Sequence, residues 1–97
     1  MKGRVIYLYY IYKIENIVNG KKYIGLTNNI NRRRARHFTD LKCGVHDNSF
    51  LQKEYDIYGK EKFLFEVVYS GDVDYSTISL KEKEYIEKYD SYYNGYN

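Results

Sequence analysis

The sequence predicts an α+β fold: a three-stranded antiparallel sheet flanked by helices, in the order β-β-α-α-β-α. Three observations carry that expectation. Two β-branched and aromatic runs, "VIYLYYIYKI" (5–14) and "KKYIGLT" (21–27), flank "ENIVNG", whose Asn19-Gly20 pair favours a hairpin turn. A third such run, "KFLFEVVYS" (62–70), lies well downstream. Between and after the strands stand three segments whose apolar residues recur at helical spacing.

Each element has its own local logic. The hairpin admits two registers: with Asn19-Gly20 as the central turn residues, Tyr12 opposes Thr27, and with a longer loop Tyr12 opposes Tyr23. Both put Tyr12 and Tyr23 on one face, because opposed residues share a face and each strand alternates with period two. The first helix lies in "NNINRRRARHFTDLKCG", with Asn28 or Asn29 as N-cap, a sparse stripe of Ile30, Phe38 and Leu41, and Gly44 as the stop. The second, in "NSFLQKEYDIYG" (48–59), is capped by Asp47 or Asn48. It presents Phe50, Leu51, Tyr55 and Tyr58, and ends at Gly59. The last, "STISLKEKEYIEKYD" (76–90), is expected to pack Ile78, Leu80, Tyr85, Ile86 and Tyr89. Its Ser79-x-x-Glu82 spacing fits a capping box. The tail "YYNGYN" has turn chemistry and no periodicity.

Ninety-seven residues without a Pro/Gly/Ser linker or repeat make one domain, 1–97. No apolar run is long enough to span a bilayer, and the early "VIYLYYIY" lacks a signal-peptide cleavage site, so no membrane association is expected. The single Cys43 excludes an internal disulfide and fits a reducing, cytoplasmic setting. One Cys and two His are too few for a structural zinc site. The net charge of +3 hides an asymmetry. Residues 1–46 hold ten Lys/Arg against Glu15 and Asp40, and residues 47–97 hold six Lys against eleven acidic groups, so the halves stand at +8 and −5. A basic half of this kind suits a polyanion, nucleic acid first among them.

Singly, the polar and aromatic residues have plain explanations. With 14 tyrosines in the chain, Tyr12 and Tyr23 fit strand packing. Arg32, Arg33, Arg34 and Arg36 fit a solvated or phosphate-binding face, and Cys43 fits helix-end packing. Their joint order says more. "YIY" (10–12) followed by "YIG" (23–25), with "RRRARHF", "LQKEYDIYG", "FEV", "EKEYI" and a final "NGYN" in succession, resembles the GIY-YIG endonucleases. The similarity is closest to the catalytic domains of phage and intron homing endonucleases, and covers most of the chain. One departure stands out: Tyr10 occupies the place where the family usually has glycine. About six residues also precede the point where close relatives begin, which lengthens the expected first strand.

The resemblance implies roles residue by residue. Tyr12 and Tyr23 match the two triplet tyrosines, Arg33 the helix arginine, and His37 and His46 active-site histidines. Glu82 matches the metal-binding glutamate, and Asn97 the asparagine that closes the domain. It further implies Mg²⁺ (or Mn²⁺) as cofactor, DNA as substrate, a separate C-terminal DNA-binding region in a longer parent, and location in host cytoplasm. Lys22, Arg32, Arg34 and Arg36 are the expected DNA contacts, and the domain is expected to be a monomer.

Chemistry agrees with these roles. Arg33 and His37 are i and i+4 and share a helical face. An arginine fork meets phosphate oxygens and keeps its charge. A single glutamate with waters is an ordinary Mg²⁺ site, whereas two metals need more clustered carboxylates. Tyrosine, with a pKa near ~10, needs nearby cations or a hydrogen bond to serve as a base. Tyr12 is taken as the base toward water, with Tyr23 positioning water or phosphate. The competing reading is a nucleic-acid-binding module of the same fold with weak or no cleavage.

Overall fold

Alternation along the central strand decides which side chains meet which helices. The computed structural model describes residues 8–97; the start of the expected first strand, residues 5–7, lies outside them. Strands β1 (Leu8–Asn16), β2 (Lys22–Thr27) and β3 (Phe63–Asp72) form an antiparallel sheet in the order β2-β1-β3. Helices α1 (Ile30–Cys43) and α2 (Ser49–Tyr58) separate β2 from β3, and α3 (Tyr75–Lys88) and the short α4 (Ser91–Asn94) follow it. A single 3₁₀ turn, Lys60–Lys62, leads into β3. This is the predicted α+β architecture with one short helix added.

The two faces of the sheet bury different residues. Tyr12 and Ile14 of β1 pack with Leu41 of α1, Leu51 and Tyr55 of α2, Phe63 and Tyr96. On the other face Ile11 and Ile24 pack with Ile78, Tyr85, Ile86 and Tyr89 of α3 and its end. Fully burying an aliphatic side chain such as Ile11, Ile14 or Ile24 is worth about 1.5–3 kcal/mol, so both layers hold the sheet. A bulge in β3 at Val68, between the Ile11–Tyr69 and Tyr12–Val67 pairs, breaks the β1–β3 register. Tyr10 sits in regular pairing, opposite Thr27 on one side and Ser70 on the other, and is half-buried.

Several expectations need correction. Neither anticipated hairpin register occurs: Tyr12 pairs with Gly25 and Tyr23 with Ile14. The loop is the four residues Ile17 to Gly20, because side chains build it. Asn16 Oδ1 accepts from the Val18 amide, Asn19 Oδ1 from the Lys21 amide, and Gly20 takes a φ of 75°. The shared face of the two tyrosines survives, since the shift is two residues. α3 begins within a residue of the expected start at 76, and its N-cap is Asp74, accepting from the Thr77 amide at 2.8 Å. Ser79 is therefore interior, and no capping box with Glu82 exists. Leu80 is 61% exposed and Phe50 42% exposed, so neither belongs to the core. The tail is ordered by contacts that no periodicity announces: Tyr96 is buried, and its hydroxyl donates to Glu54 at 2.7 Å and accepts from Asn16 at 3.2 Å.

The helix caps fall where predicted. Asn29 caps α1 by accepting from the Arg32 amide, Gly44 ends it at φ 75°, and Asn48 caps α2 by accepting from the Leu51 amide. These ends matter because the loop joining α1 to α2 carries His46 beside His37.

Candidate active site

Tyr12 reaches the site only because its partner across the ladder is glycine. A Cβ on Gly25 would lie 2.3 Å from the Tyr12 hydroxyl oxygen and 2.4 Å from its Cζ, so the ring occupies the space a side chain would fill. Phe65 stacks on the other side of the ring, with centroids 4.9 Å apart. The Tyr12 hydroxyl meets His37 Nε2 at 2.6 Å, and His37 Nδ1 meets His46 Nε2 at 2.7 Å. The two imidazoles lie edge to edge across that bond, with centroids 5.0 Å apart and planes 21° apart. His46 is anchored in turn: its Nδ1 accepts from the Asn48 amide at 3.0 Å, and its own amide donates to Gln52 Oε1 at 3.0 Å.

This chain backs an open cleft of about 480 Å³ lined by Tyr23, Arg33, Arg36, His37, Asp40, His46, Asp47 and Asn48. Tyr12, expected to meet water, is 1% exposed and does not line the cleft; Tyr23 does. Burial pushes the Tyr12 hydroxyl pKa well up, Tyr23 adds to it, and Arg33 opposes it. Burial also raises Tyr23, as does the charge of Glu82, against Arg33. His37 is driven down to about 4 by burial, by His46 and by the guanidinium groups of Arg33 and Arg36. Burial lowers His46 too, against the pull of Asp40 and Asp47. Both imidazoles are thus neutral at neutral pH.

Glu82 arrives from the opposite layer. With Arg33, Tyr9, Leu26, Thr27, Asn28 and Tyr75 it lines a second cleft of about 450 Å³. Arg33 borders both clefts, so it links α1 to the Glu82 side around the edge strand β2. Burial raises the Glu82 carboxyl pKa, and among the described residues it makes no hydrogen bond or ion pair. A half-buried, unpartnered carboxylate bordering an open cleft has the donor chemistry of a hard cation, with waters completing the shell. No group of three or more His, Cys, Asp or Glu side chains converges among the described residues.

Comparison with known proteins matches this geometry to a family. A model of the GIY-YIG catalytic domain matches residues 8–97. The chain belongs to the GIY-YIG family. It is 34% identical over 89 residues to intron-associated endonuclease 1 of Enterobacteria phage T4, covering 90% of this chain and 35% of that relative's length. Two solved structures of the catalytic domain of the homing endonuclease I-TevI, one of them a mutant, superpose with a TM-score of 0.84 each. They are 30% and 31% identical, over 93% and 90% of this chain and 92% and 94% of theirs.

Within this GIY-YIG fold the remaining expected residues divide. Arg32, Arg33 and Arg36 line a shallow groove with Thr27, Asn28 and Asn29 at the start of α1. Arg36 also lies 3.8 Å from Asp40, and Arg34 stands over the Phe65 ring at 5.7 Å. Lys22 is not with them: its ammonium donates to the Gly20 carbonyl and sits 5.4 Å from the Tyr89 ring, on the α3 face. Asn97 lines neither cleft; its side chain clamps Ile24, accepting from the amide at 2.6 Å and donating to the carbonyl at 2.7 Å. Gln52 and the Asn48 amide complete the histidine chain and were not foreseen. The N-cap preference identifies Asn48, but nothing in the sequence marks Gln52. No helix among the described residues is long and apolar enough to cross a membrane.

Proposed function

We propose that this chain is a divalent-metal-dependent DNA endonuclease domain that hydrolyses phosphodiester bonds, leaving a 5′ phosphate and a 3′ hydroxyl. The observation that carries the reading is the convergence of Tyr23, Arg33 and the neutral His37 on one open cleft, with Arg33 also bordering the cleft of the unpartnered Glu82. Arg33 neutralises charge that develops on the phosphate oxygens, where its fork geometry and permanent charge count most. Tyr23 is the tyrosine that meets the attacking water, and Tyr12 supports it from the buried side. Bound at Glu82, Mg²⁺ or Mn²⁺ would supply positive charge to the scissile phosphate and the departing 3′ oxygen.

The chain spans about a third of the length of its curated relative. A separate DNA-binding region in a longer parent fits that proportion, and host cytoplasm is the proposed place of action. By itself this domain holds DNA through phosphate contacts, which position without reading sequence. Incubating supercoiled plasmid with the purified chain, with and without Mg²⁺, tests the function. Metal-dependent nicking abolished by Arg33→Ala is expected. Nicking that persists in chelator, or survives that substitution, would overturn the assignment.

A further inference from the structure

Hydrogen bonds between two imidazoles and a phenol could run either way, and a mechanism depends on which. One end of this chain is fixed. The Asn48 backbone N–H donates to His46 Nδ1 at 3.0 Å, and a peptide nitrogen has no acceptor role. His46 Nδ1 must then carry a lone pair, so the neutral ring bears its hydrogen on Nε2. That nitrogen lies 2.7 Å from His37 Nδ1, which must accept its hydrogen. The neutral His37 ring therefore carries its own hydrogen on Nε2, the atom 2.6 Å from the Tyr12 hydroxyl.

We propose that the Asn48 amide sets a one-way chain, His46 to His37 to Tyr12, in which His37 donates to the Tyr12 oxygen and takes no proton from it. Gln52 is the positioning residue that holds this arrangement. Its Oε1 accepts from the His46 amide, and its Nε2 donates to the Leu41 carbonyl and to Asp56, each at 2.9 Å. It is buried and ties the loop bearing His46 to both α1 and α2.

Two consequences follow. With His37 as its donor, the Tyr12 hydroxyl keeps its own hydrogen. The chain thus ends on the Tyr12 oxygen, on the buried side of the cleft that Tyr23 faces. No proton passes along it, and both histidines stay neutral throughout. The groups facing the histidines are Arg33, Arg36 and Asp40 of α1, Asp47 of the loop, and Tyr12 and Tyr23 of the sheet. The catalytic use of the chain rests on the proposed nuclease function; its direction does not.

Long-range ¹H–¹⁵N spectra of the imidazoles of the purified chain at neutral pH test the direction without any cleavage. Both rings should show a protonated-type Nε2 and a lone-pair-type Nδ1. A protonated Nδ1 on His37 would overturn the proposal, even in an active enzyme. Gln52→Met, close in volume but unable to accept from the amide, should mix the tautomers of both rings. It should also lower the single-turnover cleavage rate about tenfold with little change in DNA affinity. A variant with unchanged imidazole spectra and unchanged rate would remove Gln52 from the role. Should that variant not fold, the spectra of the parent chain still decide the direction.

Discussion

Gly25→Ala should be among the most damaging single-methyl changes in this fold. The added Cβ would stand 2.3 Å from the Tyr12 hydroxyl oxygen, 2.4 Å from Cζ and 2.9 Å from Cε1. The ring has no room to retreat, since Phe65 stacks behind it and His37 holds its hydroxyl. Forcing it aside is overpacking, which costs about 1–3 kcal/mol. Displacing the hydroxyl also leaves the buried His37 Nε2 without a partner, a loss of about 1–3 kcal/mol. These costs overlap, and together they give about 2–4 kcal/mol, a large share of the roughly 5–15 kcal/mol that holds a domain folded. At about 4–8 °C per kcal/mol for a domain of this size, the melting temperature should fall by roughly 10–30 °C. Urea unfolding of Gly25→Ala, and of a double-mutant cycle with Tyr12, measures it. Tyr12→Phe should not rescue, because Cζ remains in the way, whereas Tyr12→Ala should, with a favourable coupling of about 1–2 kcal/mol. A Gly25→Ala chain within about 0.5 kcal/mol of the parent, or rescue by Tyr12→Phe as complete as by Tyr12→Ala, would refute the steric account.

Other outcomes follow from the same geometry. Arg33→Ala should slow cleavage at least ~10²-fold with little change in binding, while Arg32→Ala should mainly weaken binding and flatten its salt dependence; equal damage from both in a single-turnover assay would make α1 only a phosphate-binding face. Glu82→Gln should melt close to the parent and still bind DNA, yet lose metal-dependent cleavage; normal cutting would move the cation site elsewhere, with Glu84 the next position to test. The His37 pKa is about 4 in the fold against 6.5 ordinarily, so the unfolded chain binds more protons between those values. The stability this provides is complete above about pH 6.5 and is lost as the pH falls toward 4, by on the order of 2 kcal/mol after solvent screening. Melting curves from pH 7 to 4 should show the drop and His37→Gln should blunt it; a variant with the parent's full pH slope would assign the effect to other groups.

Patterning made most of the fold legible in the sequence, and chemistry in order made the family legible. Alternation placed Tyr12 and Tyr23 on one face without a correct register, because any shift by two residues preserves parity. Asn29, Asn48, Gly44 and Gly59 marked helix ends, since each satisfies or frees specific backbone groups. The pattern misled where polar side chains governed the backbone. Asn16 and Asn19 built a loop that gives neither expected register, and Asp74 capped α3 in place of a Ser79–Glu82 capping box. The site was legible as a set of residue types and not as an arrangement. No sequence feature says that Tyr12 is covered while Tyr23 is open, that Lys22 faces away from the arginines, or that Asn97 grips a strand.

That grip explains where the two clefts meet. β2 is an edge strand, and edge strands present unpaired amides and carbonyls to their surroundings. Its outward-facing residues alternate, and the tail satisfies them from the hairpin end. The Tyr96 amide donates to the Lys22 carbonyl at 2.9 Å, and Asn97 takes both the amide and the carbonyl of Ile24. Gly95 permits this approach, since a Cβ there would stand 2.5 Å from the Lys22 carbonyl oxygen. The next outward residue is Leu26, which borders the cleft shared by Arg33 and Glu82. The tail thus closes the edge up to Ile24, and beyond it Gly25 lets the Tyr12 ring lie across the strand toward His37. Arg33 and Glu82, from the two layers, therefore border one cleft where the edge is covered on one side of Gly25 and open on the other.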